Sequence, residues 1–250
     1  MKIQVSHESP ISLLDQSLYY NDYAYALVHL FETHTEYYNF FKVLRMTSNT
    51  PVLLDNSIFE LGESFDEDRY AYWIKELNPN YYIVPDKLED AHGTMSLWSH
   101  FNLRYSDKIS SYSGRPDSYV REQKIGVVQG KTWQDLIDCY YFMSKSADCI
   151  AISFDYSYYQ TTGTGTTKLE RMCSGRQRFI QQLIDEGKWN WNKPHHLLGC
   201  SLAREFRYYV DNNIYNIRSC DTSNPVVAAI HGLYYNDDFG LNEKPSTLLA

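Results

Sequence analysis

Five short apolar runs in this chain end on polar side chains able to hydrogen-bond a ligand or, where they are carboxylates, to move a proton. Val52-Leu53-Leu54 closes on Asp55-Asn56-Ser57, Ile83-Val84-Pro85 on Asp86, and Ile125-Gly126-Val127-Val128 on Gln129-Gly130. Ile150-Ala151-Ile152 closes on Ser153-Phe154-Asp155, and the last run on Ser219-Cys220-Asp221. A lone Asp at a strand-to-helix junction most often caps the following helix. Several at successive strand ends are harder to explain that way, because like charges gathered at a buried rim are costly unless a site uses them. An ionised, oriented carboxylate can attack a sugar carbon, and a second can take and return a proton. Asp221 has one more feature. It is followed by Thr222-Ser223-Asn224-Pro225 and then by apolar Val226 to Ile230. Asn224 fits a helix N-cap and Pro225 a first helical residue, and the positive end of such a helix would favour the Asp221 anion.

Groups like these need strands that end on one edge. Strand-like runs span Ile3 to His7, Tyr25 to Phe31, Val52 to Asp55, Tyr81 to Pro85, Lys124 to Gln129, Cys149 to Phe154, His195 to Gly199 and Asn216 to Asp221. Helical periodicity marks Asp66 to Leu77, Trp133 to Lys145, Arg176 to Glu186 and Ala203 to Asn212. The alternation predicts parallel pairing and an α/β fold, a (β/α)8 TIM-like barrel with its site at the strands' carboxyl ends. A doubly wound open sheet is the structural alternative. With 250 residues and no long Pro/Gly/Ser linker, residues 1–250 are expected to form a single barrel domain.

The formal charge of −8 argues against broad affinity for phosphate backbones. The 23 tyrosines suit amphipathic packing, with base stacking as the functional alternative. Five widely spaced cysteines form no CxxC pair and no compact Cys/His cluster, so neither a metal site, a cofactor nor a disulfide framework is expected. The first ten residues lack a signal-peptide core and no run reaches membrane-spanning length, which predicts a cytoplasmic protein without a membrane partner. The most cationic segment is a Gly/Thr run, Thr161 to Thr167, followed by Lys168, Arg171, Arg176 and Arg178. It reads either as a disordered surface loop or as a mobile element whose cations meet nucleic-acid phosphates. His195-His196 opens a strand and is therefore expected at the end of the barrel away from the chemistry, as a packed or solvated pair.

The ordered motifs resemble those of the tRNA-guanine transglycosylase superfamily. That family carries an Asp-Ser-Gly-Gly-aromatic-Gln segment, a base-recognising Asp, a Gly-(Ile/Val)-Val-Gln-Gly strand end, a Leu-Met-Gly-Val-Gly strand and an Asp-Cys-x-x-Pro nucleophile segment. Similar residues occur here in the same order: Asp55-Asn56-Ser57-Ile58-Phe59, Asp86, Gly126-Val127-Val128-Gln129-Gly130, Leu197-Leu198-Gly199-Cys200-Ser201 and Asp221-Thr222-Ser223-Asn224-Pro225. The resemblance implies that Asp221 is the nucleophile and Asp55 the general acid/base. It implies further that Asp86, Gln129 and Gly130 hold the purine edge and that Phe59 stacks on the base. Ala151-Ile152-Ser153-Phe154 stands in place of the family's Gly-Gly-Leu hairpin around the 7-substituent, so the resemblance implies that Ser153 and Phe154 lie beside the incoming base. No cysteine follows Cys220, so the family's C-terminal zinc site is missing. The first motif also lacks both glycines. These departures resemble the shortened relatives of phages and bacterial modification islands that insert 7-deazaguanines into DNA. The expected partners are therefore DNA, with tRNA as second choice, and a free 7-deazaguanine base, in a bacterial or phage-infected host cytoplasm. A homodimer is implied by the resemblance alone. The rival readings are a retaining glycoside hydrolase and a catalytically silent purine-binding barrel.

Overall fold

Apolar runs bounded by turns, alternating with amphipathic segments, should build parallel strands joined by helices, and they do. The computed structural model describes residues 2–110, 123–154, 156–200 and 202–236. The strands are β1 (Gln4–His7), β2 (Ala24–Leu27), β3 (Val52–Asp55), β4 (Tyr81–Ile83), β5 (Gln123–Val128), β6 (Cys149–Ser153), β7 (His195–Leu198) and β8 (Ile217–Thr222). They form one eight-stranded sheet in the order β1-β8-β7-β6-β5-β4-β3-β2. That order never reverses, whereas a doubly wound sheet reverses at its switch point. The fold is the α/β class with the winding of a (β/α)8 TIM-like barrel. The chain divides into two compact units, one from the described residues of 22–130 and 134–150, the other from those of 1–21, 131–133 and 151–250.

The first unit holds β2 to β5 in continuous parallel register. Its helices include α2 (Val28–Thr33), α3 (Thr35–Thr47), α4 (Ile58–Leu61), α5 (Glu67–Leu77), α6 (Ala91–Ser110) and α7 (Trp133–Ser146). The expected strand from Tyr25 to Phe31 stops at Leu27, and α2 begins at Val28. A run that is apolar but for His29 carries too little periodicity to tell strand from buried helix. Here it serves as both. Helix α5 starts on Asp66, whose side chain accepts from the Arg69 N–H at 2.8 Å, and stops on left-handed Asn78. It anchors the sheet through Tyr70, whose buried hydroxyl lies 2.7 Å from the Ile83 carbonyl and 3.1 Å from that of Leu54. Gly126 is required by packing, since a Cβ there would sit 2.4 Å from Met143 Sδ and 3.0 Å from the Ala147 Cβ.

The second unit holds β1, β7, β8 and most of β6, with helices α1 (Leu14–Ser17), α8 (Ser157–Thr162), α9 (Lys168–Asp185), α10 (Arg204–Asp211) and α11 (Asn224–Ile230). Two glycines let α8 and α9 approach closely: a Cβ on Gly175 would lie 2.2 Å from the Tyr159 carbonyl oxygen, and one on Gly163 would collide with that of Arg171. Helix α9 opens on a capping box. The Thr167 hydroxyl accepts from the Glu170 N–H at 3.1 Å, and Glu170 Oε2 accepts from the Thr167 N–H at 3.0 Å. The Gly/Thr run is thus tied into a helix start. Arg171 Nη1 donates to the Thr166 carbonyl at 3.2 Å, and Arg178 Nη1 to that of Thr162 at 3.2 Å.

Arg176 departs most from expectation. Placed among candidate phosphate contacts by its basic neighbours, it is wholly buried. Its guanidinium grips Glu205 with two bonds of 2.8 Å, and Nη1 donates to the carbonyls of Ile152 and Leu198 at 3.1 and 3.2 Å. Tyr209 donates to the same carboxylate at 2.6 Å. Burial by itself would lower the Arg176 pKa, but the Glu205 carboxylate holds it well above the usual value. Removing one partner of a buried pair strands the other charge, so Glu205→Ala is expected to lose about 3–5 kcal/mol of stability in urea unfolding. The double variant Arg176→Met, Glu205→Leu should recover much of that loss, because it leaves no buried charge alone. Among the described residues, no helix is long and apolar enough to cross a membrane.

Candidate active site

Two clusters of strand-end polar residues stand out, one in each unit. The first surrounds Asp221. Strand β8 runs parallel to β1, with Ser6 opposite Asp221, and parallel to β7, with His196 opposite Ser219. The β7–β8 register slips between His195, which faces Ile217, and His196, which faces Ser219. Arg218 is thereby passed over. A bulge of this kind re-aims the side chains beyond it, and here it turns His196 to the face that carries Ser219 and Asp221. Asp221 is almost wholly buried, and both its oxygens are held. Oδ1 lies 2.9 Å from His196 Nε2, and Oδ2 accepts the Gly199 N–H at 3.1 Å. An ionised carboxylate only accepts, so Nε2 carries a ring proton, and Nδ1 is hydrogen-bonded to the Ser219 hydroxyl at 2.8 Å. Gly199 has φ +69°, a left-handed geometry that a side chain would strain and that aims its amide at Asp221.

His195-His196 was expected away from the chemistry. His195 is indeed packed, stacked 3.7 Å from Trp189 with its pKa lowered to about 3 by burial. His196 is a partner of the candidate nucleophile. The turn after Asp221 also differs from expectation in detail: Ser223 is the N-cap of α11, and Asn224 and Pro225 are its first two residues. The Thr222 hydroxyl fixes that turn, donating to the Cys200 carbonyl at 2.6 Å and accepting from the Asn224 N–H at 3.1 Å. Cys220 lies on the opposite face of β8, and burial first of all raises its thiol well above the usual range, which removes it as a rival nucleophile.

The second cluster gathers the ends of β3, β4 and β5. Asp86 is 1% exposed and stands between two amides. Asn56 Nδ2 donates to Oδ1 at 2.7 Å, and Gln129 Nε2 donates to Oδ2 at 2.5 Å. The Gln129 amide is oriented by its other end, where Oε1 accepts the Glu89 N–H at 2.7 Å. Burial pushes the Asp86 carboxyl up to about 6, against the two amide bonds that lower it. Asp55 ends β3, accepting the Tyr25 hydroxyl at 2.6 Å and the Ser57 N–H at 3.3 Å. Ser57 adopts φ +59°, a left-handed conformation that costs a non-glycine residue about 1–2 kcal/mol. A glycine would hold this backbone geometry without that cost. Asn56, beside Asp55 in sequence, thus orients Asp86 together with Gln129.

The remaining expected residues divide clearly. Phe59 is 57% exposed on α4, its ring available for stacking. Gly130 has a packing reason of its own, since a Cβ there would lie 2.7 Å from that of Asp135 at the start of α7. Phe154, expected beside the base, is a core residue: it packs with Met172, Cys173 and Leu202, and the Arg176 guanidinium lies 4.9 Å over its ring. Ser153 is half-buried at the end of β6, and Lys168 and Arg178 are exposed on α9. Asp155 and Ser201 lie outside the described residues. No protein-family model matches the chain, and no curated protein matches it.

Proposed function

We propose that this protein exchanges a base at the N-glycosidic bond of a nucleic acid, replacing guanine in DNA, with tRNA as second choice, by a 7-deazaguanine through a glycosyl ester on Asp221. The observation that carries the reading is the carboxylate itself. It is buried, and one donor fixes each of its oxygens, as nucleophilic attack at a defined carbon requires.

An Asp221 oxygen attacks C1′ as the bond to N9 of guanine breaks, and the departing purine takes the bonding pair together with a proton from Asp55. A second base then attacks C1′ from the face guanine left, Asp55 removes its N9 proton, and Asp221 leaves as carboxylate. Two inversions give retention. Donors on a carboxylate stabilise it as a leaving group, so His196 and Gly199 favour the second half of the cycle. Ionised Asp86 can accept from N1–H and the 2-amino group of guanine together, and Gln129 orients it. The amide–carboxyl–amide arrangement suits a purine edge better than a sugar, which disfavours the glycoside hydrolase reading.

Incubating the protein with guanine-containing DNA or tRNA and a labelled guanine or 7-deazaguanine tests this directly. Label should enter DNA. Label in tRNA alone would move the substrate, and label in neither would overturn the transferase.

A further inference from the structure

Ser6, in β1, is wholly buried, and its hydroxyl has no hydrogen-bond partner among the described residues. The β1–β8 register sets it directly beside Asp221. Opposed residues of parallel strands point to the same face, so the hydroxyl shares the face of Asp221, Ser219 and His196. Those three are committed to one another: Asp221 to His196 and Gly199, and the Ser219 hydroxyl to His196 Nδ1. Ser6 is therefore the uncommitted polar group beside the candidate nucleophile. A buried hydroxyl without a partner costs free energy that an alanine would not. Such a group makes sense where a polar atom arrives that the resting protein lacks.

We propose that Ser6 binds the pentose whose C1′ Asp221 attacks, through a substituent oxygen of that sugar. A hydroxyl both donates and accepts, so it can serve a sugar hydroxyl or an ester oxygen. Its partner is not the ring oxygen, because a bond donated there would withdraw electron density from the oxocarbenium-like transition state. The assignment rests on Asp221 being the nucleophile.

Ser6→Ala separates this role from a structural one. The variant should melt no lower than the wild type, since it removes only an unsatisfied group. Its kcat/KM for nucleic acid should fall about 10- to 100-fold, the loss of one substrate hydrogen bond. Inhibition by the free base should be unchanged. Exchange within twofold of wild type would overturn the proposal, as would a melting temperature several degrees lower, which would reveal a structural partner. An active wild type that fails on Asp221→Asn but not on Ser6→Ala would sink the Ser6 role alone. A wild type that exchanges no base on DNA or tRNA would sink both readings.

Discussion

Asp221→Asn should abolish base exchange, slowing it by a factor on the order of 10,000 or more, in a protein that remains folded. An amide is no nucleophile at a sugar carbon, whereas its shape is that of the carboxylate it replaces. The hydrogen bonds around it can also be kept. The new side-chain oxygen can accept the Gly199 N–H, and the new amino group can face His196 Nε2. His196 then needs only to move its proton to Nδ1 and donate to Ser219, whose hydroxyl can accept as well as donate. The tautomer switch leaves no buried donor facing another. Asparagine is thus a cleaner test than alanine, which would strand both His196 and the Gly199 amide. Unchanged circular dichroism and a melting temperature near that of the wild type, with exchange absent, is the expected result.

The second large effect belongs to Asp86. Only its ionised form accepts two hydrogen bonds from a guanine edge, and burial holds its carboxyl at about 6. Exchange should therefore rise between pH 5 and pH 7, with a midpoint near 6 in kcat/KM. Asp86→Asn should lower kcat/KM about 100- to 1,000-fold, through lost charge-assisted bonds, and flatten that limb. An unchanged limb in the variant would show that another group sets it. The same shift works against folding. An acid whose pKa is raised in the folded state contributes stability that is full below its unfolded value of 3.8 and is lost as pH rises through about 6. The wild type carries the ionised Asp86 carboxylate at neutral pH at some cost in stability, the kind of trade expected where a polar group serves binding.

Much of the architecture was legible in the sequence because parallel strands buried on both faces announce themselves as short apolar runs. Val52–Asp55 was placed without error, and the last strand was displaced by one residue. Helices α3 and α6 were not anticipated. Each carries large apolar side chains on its exposed side, Val43 and Met46 in α3 and Leu103 in α6, which blurs the periodic stripe. The capping box of α9 was open to reading, since Thr167 and Glu170 have the required spacing. So was the burial of Arg176. It falls on the face of Met172, Phe179, Ile180 and Leu183, at helical intervals from each, and that face is the buried one.

The candidate site was legible only in part. Asp55, Asp86, Gln129 and Asp221 could be picked out because each ends a strand, and strand ends can be read along one segment. His196 and Ser6 could not, because their role depends on which residue lies opposite on a neighbouring strand. A one-residue slip moves a strand's side chains to the other face, and the slip between His195 and His196 decides that His196 faces Asp221. Nothing in the residues around it marks that bulge. Phe154 shows the converse: its place at a strand end was plain, but whether its ring joins the core or the rim depends on Arg176, a residue distant in sequence.

The central claim is that Asp221 becomes covalently linked to the sugar. Rapid denaturation of the protein with guanine-containing DNA, with no second base supplied, followed by mass spectrometry of the peptide containing residue 221, tests it most directly. The account predicts a covalent adduct of the nucleic acid on Asp221, absent from Asp221→Asn and lost when a 7-deazaguanine is added. Continued base exchange with an adduct on another residue, or with exchange persisting in Asp221→Asn, would contradict it.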